Sequence, residues 1–134
     1  MRGFEDIGVL VIHHSASPRN ITTKQIKHWH TKGKGWSDIG YHYVIESEGE
    51  VVFGRSISKI GAHCRGHNRD SIGVCVVGNN TKTKHQWSMS QIASLQDLVF
   101  GIKLVFPGIT IKGHSDLANT LCPGVNVQQL LQEV

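Results

Sequence analysis

The chain has 134 residues, of which 39% are hydrophobic and 18% are charged, and its net charge is +4 with neutral histidines. This composition is typical of one folded domain, expected here over residues 1–134, and it excludes disordered and collagen-like chains. No apolar run approaches the roughly 20 residues that cross a bilayer. The scattered cations do not predict a nucleic-acid site. Three cysteines are too few for a disulfide scaffold.

The first third of the chain predicts a strand followed by a helix. Residues 8–13 are an uninterrupted run of β-branched and aliphatic residues, which indicates a buried strand. Thr22 and Gln25 have the spacing of a capping box, and Ile21 and Ile26 that of a hydrophobic staple, so a helix should begin there. Glycines at positions 33 and 35 should end it.

The remaining elements predict one mixed sheet flanked by helices. Further strands are expected at residues 41–45, 50–53, 71–77 and 109–112, with an irregular segment at 55–70. Ser88 and Gln91 repeat the capping-box spacing before an apolar stripe at helical spacing, and residues 127–134 should form a terminal helix. Because strands and helices are interspersed, the fold class is α/β or α+β.

Nine histidines are the outlier in the composition. His13 and His14 end the first strand, His114 follows the last strand, and Cys122 lies in a loop flanked by proline and glycine. Two imidazoles and one thiolate are the protein ligands of a catalytic zinc site with an open fourth position. Since successive strand residues point to opposite faces, His13 and His14 should not both bind one ion. The pattern alone does not choose between them.

Five motifs occur in order along the chain: Val11–Ala16, Trp36 with Gly40–His42, Gly61–His63, Asn68 with Ser71–Gly78, and Gly113–Asp116 through Leu121–Gly124. Together they resemble the zinc-dependent N-acetylmuramoyl-L-alanine amidase type 2 family, which includes phage lysozyme-type amidases and peptidoglycan recognition proteins. The resemblance runs from about residue 9 to residue 124. It implies the mixed-sheet fold of that family and hydrolysis of the bond between muramic acid and L-alanine in peptidoglycan.

The resemblance also implies roles for individual residues. His13 falls on the first zinc ligand, His114 on the second and Cys122 on the third. Tyr41 falls on a tyrosine that hydrogen-bonds near the attacking water. Thr120 stands where phage members tend to carry lysine, and its hydroxyl can donate a hydrogen bond but supplies no positive charge.

Substrate-side residues follow from the same resemblance. His63 and Asn68 fall in a segment that lines the substrate groove of relatives. Trp36 is expected either to stack on sugar or to cover the first helix, and His30 is expected to pack in the core.

The role of Asp116 and the pairing of two cysteines remain open at this point. Asp116 is either a partner of a metal ligand or a capping residue, and the sequence does not decide between these roles. Cys75 should be a core residue, and a disulfide between Cys64 and Cys75 is allowed by number alone.

Alternative functions also stay open. A peptidoglycan-binding module of the same fold would lack catalysis, and relatives of that kind commonly lose the cysteine ligand. A thiol hydrolase could use Cys122 as nucleophile and His114 as base, although Pro123 removes a backbone N–H that an oxyanion hole could use. A cytosolic amidase that recycles muropeptides is a third alternative.

The expected partner is peptidoglycan or a muropeptide, bound by a monomer, without nucleic acid or membrane. The N-terminal residues lack a signal-peptide pattern. We therefore expect a cytoplasmic protein that is released at lysis, as a phage endolysin is, or one exported by a non-classical route.

Overall fold

A computed structural model describes residues 1–132 and contains a five-stranded mixed sheet. The strands are Val9–His14 (β1), Tyr43–Ile45 (β2), Val51–Phe53 (β3), Ser71–Val76 (β4) and Thr110–Gly113 (β5). Their order across the sheet is β3-β2-β4-β1-β5. β1 pairs in parallel with β4 and β5, β2 pairs in parallel with β4, and β3 is antiparallel to β2. The predicted fold class is confirmed.

The helices are short except for one. They are Thr23–His28 (α1), which continues as a wider π-helical turn over Trp29–Gly33, Met89–Val105 (α2) and Val127–Leu130 (α3). Single 3-10 turns occur at Phe4–Asp6, Thr83–His85 and His114–Asp116. The terminal helix predicted over 127–134 ends at Leu130, and the last two residues of that range lie outside the described part. Within residues 1–132, no helix has the length and apolar character needed to span a membrane.

Both predicted capping boxes form. Thr22 Oγ1 accepts a hydrogen bond from the Gln25 N–H at 3.2 Å, and Gln25 Oε1 accepts one from the Thr22 N–H at 2.9 Å. Ser88 and Gln91 make the same reciprocal pair at 3.1 and 2.9 Å. The buried Gln91 amide also donates to the Val77 carbonyl at 2.8 Å. The start of α2 is thereby tied to the residue that follows β4.

The two faces of the sheet bury different cores. Leu10 and Ile12 of β1 contribute to the larger core, which contains the buried side chains of α2. Val44 and Cys75 belong to a smaller core with Ile26 of α1. Because side chains alternate along a strand, His13 lies on the face of the smaller core, beside its register partner Cys75.

The carboxyl edge of the parallel strands brings the candidate ligands together. Ile12 of β1 pairs with Gly113 of β5. The next residues of these two strands are His13 and His114, so the register places them side by side. Side chains at this edge of a sheet are held by rigid strands and face the loops that follow.

Candidate active site

Three predicted metal ligands converge in the structure. The donor atoms of His13, His114 and Cys122 all lie within 4.8 Å of one another, and His13 Nδ1 is 3.8 Å from Cys122 Sγ. A tetrahedral zinc ion holds nitrogen and sulfur ligands about 3.5 Å apart, so these residues fit one ion. His14 lies on the opposite face, where its Nδ1 accepts a hydrogen bond from the Asn80 N–H at 3.2 Å. The structure therefore brings His13 into the cluster and leaves His14 out.

The Cys122 loop is held by hydrogen bonds from both sides. The His14 backbone N–H donates to Cys122 Sγ at 3.2 Å, and the Cys122 N–H donates to Thr120 Oγ1 at 3.3 Å. The Asn80 amide donates to the Pro123 carbonyl at 2.8 Å. These contacts fix the sulfur relative to the end of β1.

Burial makes the Cys122 thiol less acidic than an ordinary cysteine. Burial raises the pKa of Cys122 to about 11, and the hydrogen bond from the His14 N–H opposes that effect only in part. Nucleophilic cysteines have a lowered pKa, because the thiolate is the reactive form. The environment therefore disfavours a free nucleophilic thiolate, and metal binding must displace the thiol proton, because the thiolate is also the form that binds a metal.

Tyr41 lies beside His13, the first candidate ligand. Its ring centroid is 5.2 Å from that of His13. Its carbonyl accepts a hydrogen bond from the Arg55 N–H at 2.9 Å, which anchors the backbone. Burial raises the pKa of Tyr41 well above its ordinary value, and the nearby thiols of Cys75 and Cys122 add to this effect. The hydroxyl therefore keeps its proton and can act as a donor.

His63 and Asn68 form a connected pair next to the candidate metal ligands. His63 Nδ1 is 2.9 Å from His13 Nε2, and His63 Nε2 is 3.1 Å from Ser71 Oγ. Asn68 Oδ1 accepts hydrogen bonds from the N–H groups of His63 and Cys64 at 2.9 and 2.8 Å. Burial lowers the pKa of His63 to about 3, so its ring is neutral. The contact with His13 was not foreseen from the sequence.

A cavity of about 300 Å³ adjoins this cluster. Its lining is aromatic, polar and cationic: His30, Lys34, Trp36, Tyr41, Ala62, His63, Cys64, Arg65 and Asn68. The rings of His30 and Trp36 lie 4.8 Å apart, and Lys34 Nζ is 5.1 Å from the centre of the Trp36 ring. His30 Nδ1 accepts a hydrogen bond from the Gly40 N–H at 2.9 Å. The structure therefore places His30 on the wall of the cavity, not in the core where the sequence predicted it.

Lys34 and Arg65 were not singled out from the sequence as site residues. Both follow irregular backbone: Lys34 comes directly after the π-helical turn, and Arg65 lies in the segment between β3 and β4. The clustering of cations near an aromatic-rich motif is the only signal that could have drawn attention to them.

The remaining candidates lie outside this cavity. Thr120 lines a separate cavity of about 420 Å³, together with Ser115 and Leu121. Asp116 Oδ2 accepts a hydrogen bond from the Gly113 N–H at 2.8 Å, so it caps the turn that carries His114. Cys64 and Cys75 are both free and buried, so the disulfide allowed by number does not form. A larger cavity, about 490 Å³, lies between α2 and α3, away from the ligand cluster.

His42 is a buried histidine whose titration should destabilise the fold. Its Nδ1 accepts a hydrogen bond from the Gly73 N–H at 3.0 Å, and its Nε2 donates to the Lys59 carbonyl at 2.9 Å. Burial lowers the pKa of His42 to about 4. Below the ordinary histidine pKa of about 6.5, the unfolded chain binds a proton that the folded chain does not bind until about pH 4.

The stability contributed by neutral His42 is complete above pH 6.5 and declines towards pH 4, by up to about 3 kcal/mol. His42→Asn retains an acceptor for the Gly73 N–H but does not titrate. In urea titrations with chelator present, its free energy of unfolding should fall less than that of the wild type between pH 7 and pH 4.5. Equal losses in the two proteins would contradict the assignment.

Comparison with known proteins settles the family. The sequence profile of the N-acetylmuramoyl-L-alanine amidase family matches residues 3–125. The chain belongs to this family. It is 32% identical over 130 residues to the endolysin of Escherichia phage T7, covering 93% of this chain and 85% of the phage protein. It is 31% identical over 137 residues to the human N-acetylmuramoyl-L-alanine amidase, covering 94% of this chain and 24% of the human protein.

Two solved structures are similar to this chain over nearly its whole length. The endolysin amidase LysCS from Clostridium intestinale superposes with a TM-score of 0.84 at 30% identity, covering 96% of this chain and 83% of that chain. The endolysin of the Thermus scotoductus bacteriophage Ph2119 gives a TM-score of 0.86 at 28% identity, with 95% and 83% covered. The family, the fold and the peptidoglycan amidase function expected from the motifs are confirmed.

Proposed function

We propose that this amidase cleaves the bond between N-acetylmuramic acid and L-alanine with one zinc ion held by His13, His114 and Cys122. The observation that carries the proposal is the convergence of these three donor groups next to Tyr41 and the cavity. Two imidazoles and a thiolate favour zinc over magnesium or calcium, which prefer oxygen ligands. When bound, zinc supplies a Lewis acid that polarises the amide carbonyl and lowers the pKa of water towards about 7.

The proposed ligands and Tyr41 have the protonation states that this reaction needs. Burial lowers the pKa of both His13 and His114, so each ring presents a nitrogen lone pair rather than a positive charge. Tyr41 keeps its proton and can donate a hydrogen bond to the negative charge that develops on the amide oxygen. Tyr41 therefore stabilises the oxyanion or orients the attacking water, and it does not act as a base.

The cavity is suited to the peptide side of the substrate. Lys34 and Arg65 line it together with the face of Trp36. Stem peptides carry carboxylates, which cationic side chains attract, and the indole ring offers an apolar surface for sugar or peptide groups. We infer that the stem peptide lies in this cavity while the scissile amide reaches the His13 cluster.

Catalysis is favoured over binding alone, because the chain has both Cys122 and Tyr41 and their side chains lie beside His13. A thiol mechanism is disfavoured by the raised pKa of Cys122 and by Pro123, which has no N–H to offer an oxyanion.

We further propose that the protein is a monomer that acts as an endolysin, accumulating in the cytoplasm until lysis. Activity on intact sacculi supports this role, and activity confined to soluble muropeptides indicates a recycling amidase instead.

Metal content tests the ligand assignment. We expect the purified protein to contain one zinc ion per chain and the folded His114→Ala variant to contain less than about a tenth of that amount, because two ligands hold zinc poorly. His28→Ala is the matched control, since His28 is an exposed histidine on α1, and it should keep its zinc. A folded His114→Ala protein with a full complement of zinc would overturn the assignment.

A further inference from the structure

Both ring nitrogens of His13 face a specific partner. Nδ1 is 3.8 Å from Cys122 Sγ, on the side of the metal ligands, and Nε2 is 2.9 Å from His63 Nδ1. The two imidazole rings meet edge to face at 89°. A neutral imidazole carries its proton on only one nitrogen. The partner of Nε2 therefore decides whether Nδ1 is free to bind a metal.

The His63 ring lies against a buried hydroxyl and two glycines. Its far nitrogen, Nε2, lies 3.1 Å from the hydroxyl of the buried Ser71. A Cβ atom added at Gly73 would lie 2.6 Å from His63 Cγ, and one added at Gly61 would lie 2.8 Å from His63 Cδ2. Both contacts are closer than side chains allow, so these two glycines make the space that the ring occupies.

Metal binding through His13 Nδ1 would determine where the ring protons of His13 and His63 lie. For Nδ1 of His13 to present a lone pair, the ring proton must lie on Nε2, and this N–H then donates a hydrogen bond to His63 Nδ1. The proton of His63 then lies on its Nε2, and that N–H donates a hydrogen bond to Ser71 Oγ. The reverse arrangement would place the His13 proton on Nδ1, where it blocks the metal. Partners of this kind orient metal-bound histidines and strengthen metal binding.

We propose that His63 is a positioning residue that holds His13 in the tautomer and orientation needed for metal binding. The inference rests on the proposed zinc site. It gives His63 a role separate from the lining of the substrate groove, which is all that the sequence predicted. Ser71 serves the same purpose one step further from the proposed metal site, because its hydroxyl oxygen accepts the hydrogen bond from Nε2–H that fixes the His63 tautomer.

Zinc affinity, measured by competition with a chromogenic chelator, tests the proposal. His63→Leu replaces the imidazole with a side chain of similar volume that cannot accept a hydrogen bond from His13. This variant should raise the zinc Kd about 10- to 100-fold. His63→Asn can place an amide oxygen near the former Nδ1 position and should stay within about threefold of the wild type. His67→Leu is the control, because His67 lies in the same segment and its Nδ1 faces an Asp70 carboxylate oxygen at 3.7 Å; the zinc Kd of this variant should not change.

Cobalt substitution adds a spectroscopic measurement, which would not change if His63 only stabilised the fold. The visible absorption of bound Co²⁺ should shift in His63→Leu and return to the wild-type spectrum in His63→Asn. If His63→Leu does not fold, Ser71→Ala keeps the ring but removes its anchor, and it should raise the zinc Kd by between twofold and about tenfold.

The outcomes separate this inference from the proposed function. An unchanged zinc Kd and Co²⁺ spectrum in His63→Leu, with weaker muropeptide binding, would overturn the positioning role and leave a substrate role alone. An unchanged Kd in Ser71→Ala would do the same if that variant is the one that folds. A wild-type chain that binds no zinc would instead overturn the proposed function itself.

Discussion

Replacing Cys122 with serine should abolish hydrolysis of peptidoglycan and leave a protein that still binds muropeptides. The serine hydroxyl stays protonated at neutral pH, so the one anionic ligand of the proposed set is lost, whereas the thiolate is a strong zinc ligand. The cavity lined by Trp36 and Arg65 is not altered by this change. Because the metal supplies several kcal/mol of transition-state stabilisation, we expect the rate to fall at least about a thousandfold.

Two assays on the same protein check this result. Release of stem peptides from sacculi reports hydrolysis, and calorimetric titration with a soluble muropeptide reports binding. Cys64→Ser is the control for loss of a thiol: Cys64 lines the cavity but is a buried free thiol outside the proposed ligand set, so this variant should keep its zinc and its hydrolytic activity. Full activity in Cys122→Ser would show that Cys122 is not a ligand.

Tyr41→Phe is the second change with a large expected effect. Phenylalanine retains the ring against His13 but removes the protonated hydroxyl. Loss of one donor to a developing oxyanion typically costs about 100- to 1,000-fold in kcat. Because the hydroxyl acts mainly in the transition state, KM and the zinc content should change little.

Steady-state kinetics on a defined muropeptide separate kcat from KM for this variant. Tyr43→Phe provides the control, because it removes the other tyrosine hydroxyl of the chain from a half-buried side chain that packs against the larger core. That variant should keep kcat within about threefold. A tenfold rise in the KM of Tyr41→Phe with unchanged kcat would assign Tyr41 to substrate binding instead.

The elements that position the site were predictable because each has a local physical signal. Capping pairs marked the starts of α1 and α2, and the apolar runs marked β1 and β4. Strand ends differ from the predicted ones by up to two residues. Thr22 and Ser88 therefore show that helix starts are specified by side chains close in sequence.

The choice between His13 and His14 could not be made from the residue pattern alone. Every residue of β1 after Val9 is buried, so both faces of the strand are apolar and no alternation marks the side of the site. The resemblance to the amidase family supplied the assignment to His13. The structure places His13 on that side because Leu10 and Ile12 face the larger core.

The contacts made by irregular backbone were not predictable. Lys34 reaches the cavity through a π-helical turn, which leaves no periodic signal. The approach of His63 to His13 depends on space left by Gly61 and Gly73, residues that are distant from His13 in sequence. Such contacts depend on packing between segments, so sequence patterns within one segment do not specify them.

Digestion of purified peptidoglycan tests the central claim most directly. Sacculi would be incubated with the protein alone, with a chelator, and with the chelator followed by excess zinc, and the soluble products identified by mass spectrometry. We expect free stem peptides with a new N-terminal alanine, which disappear with the chelator and return with zinc. Stem peptides that are released undiminished in the presence of the chelator, or cleavage at a glycosidic or peptide bond instead, would contradict it.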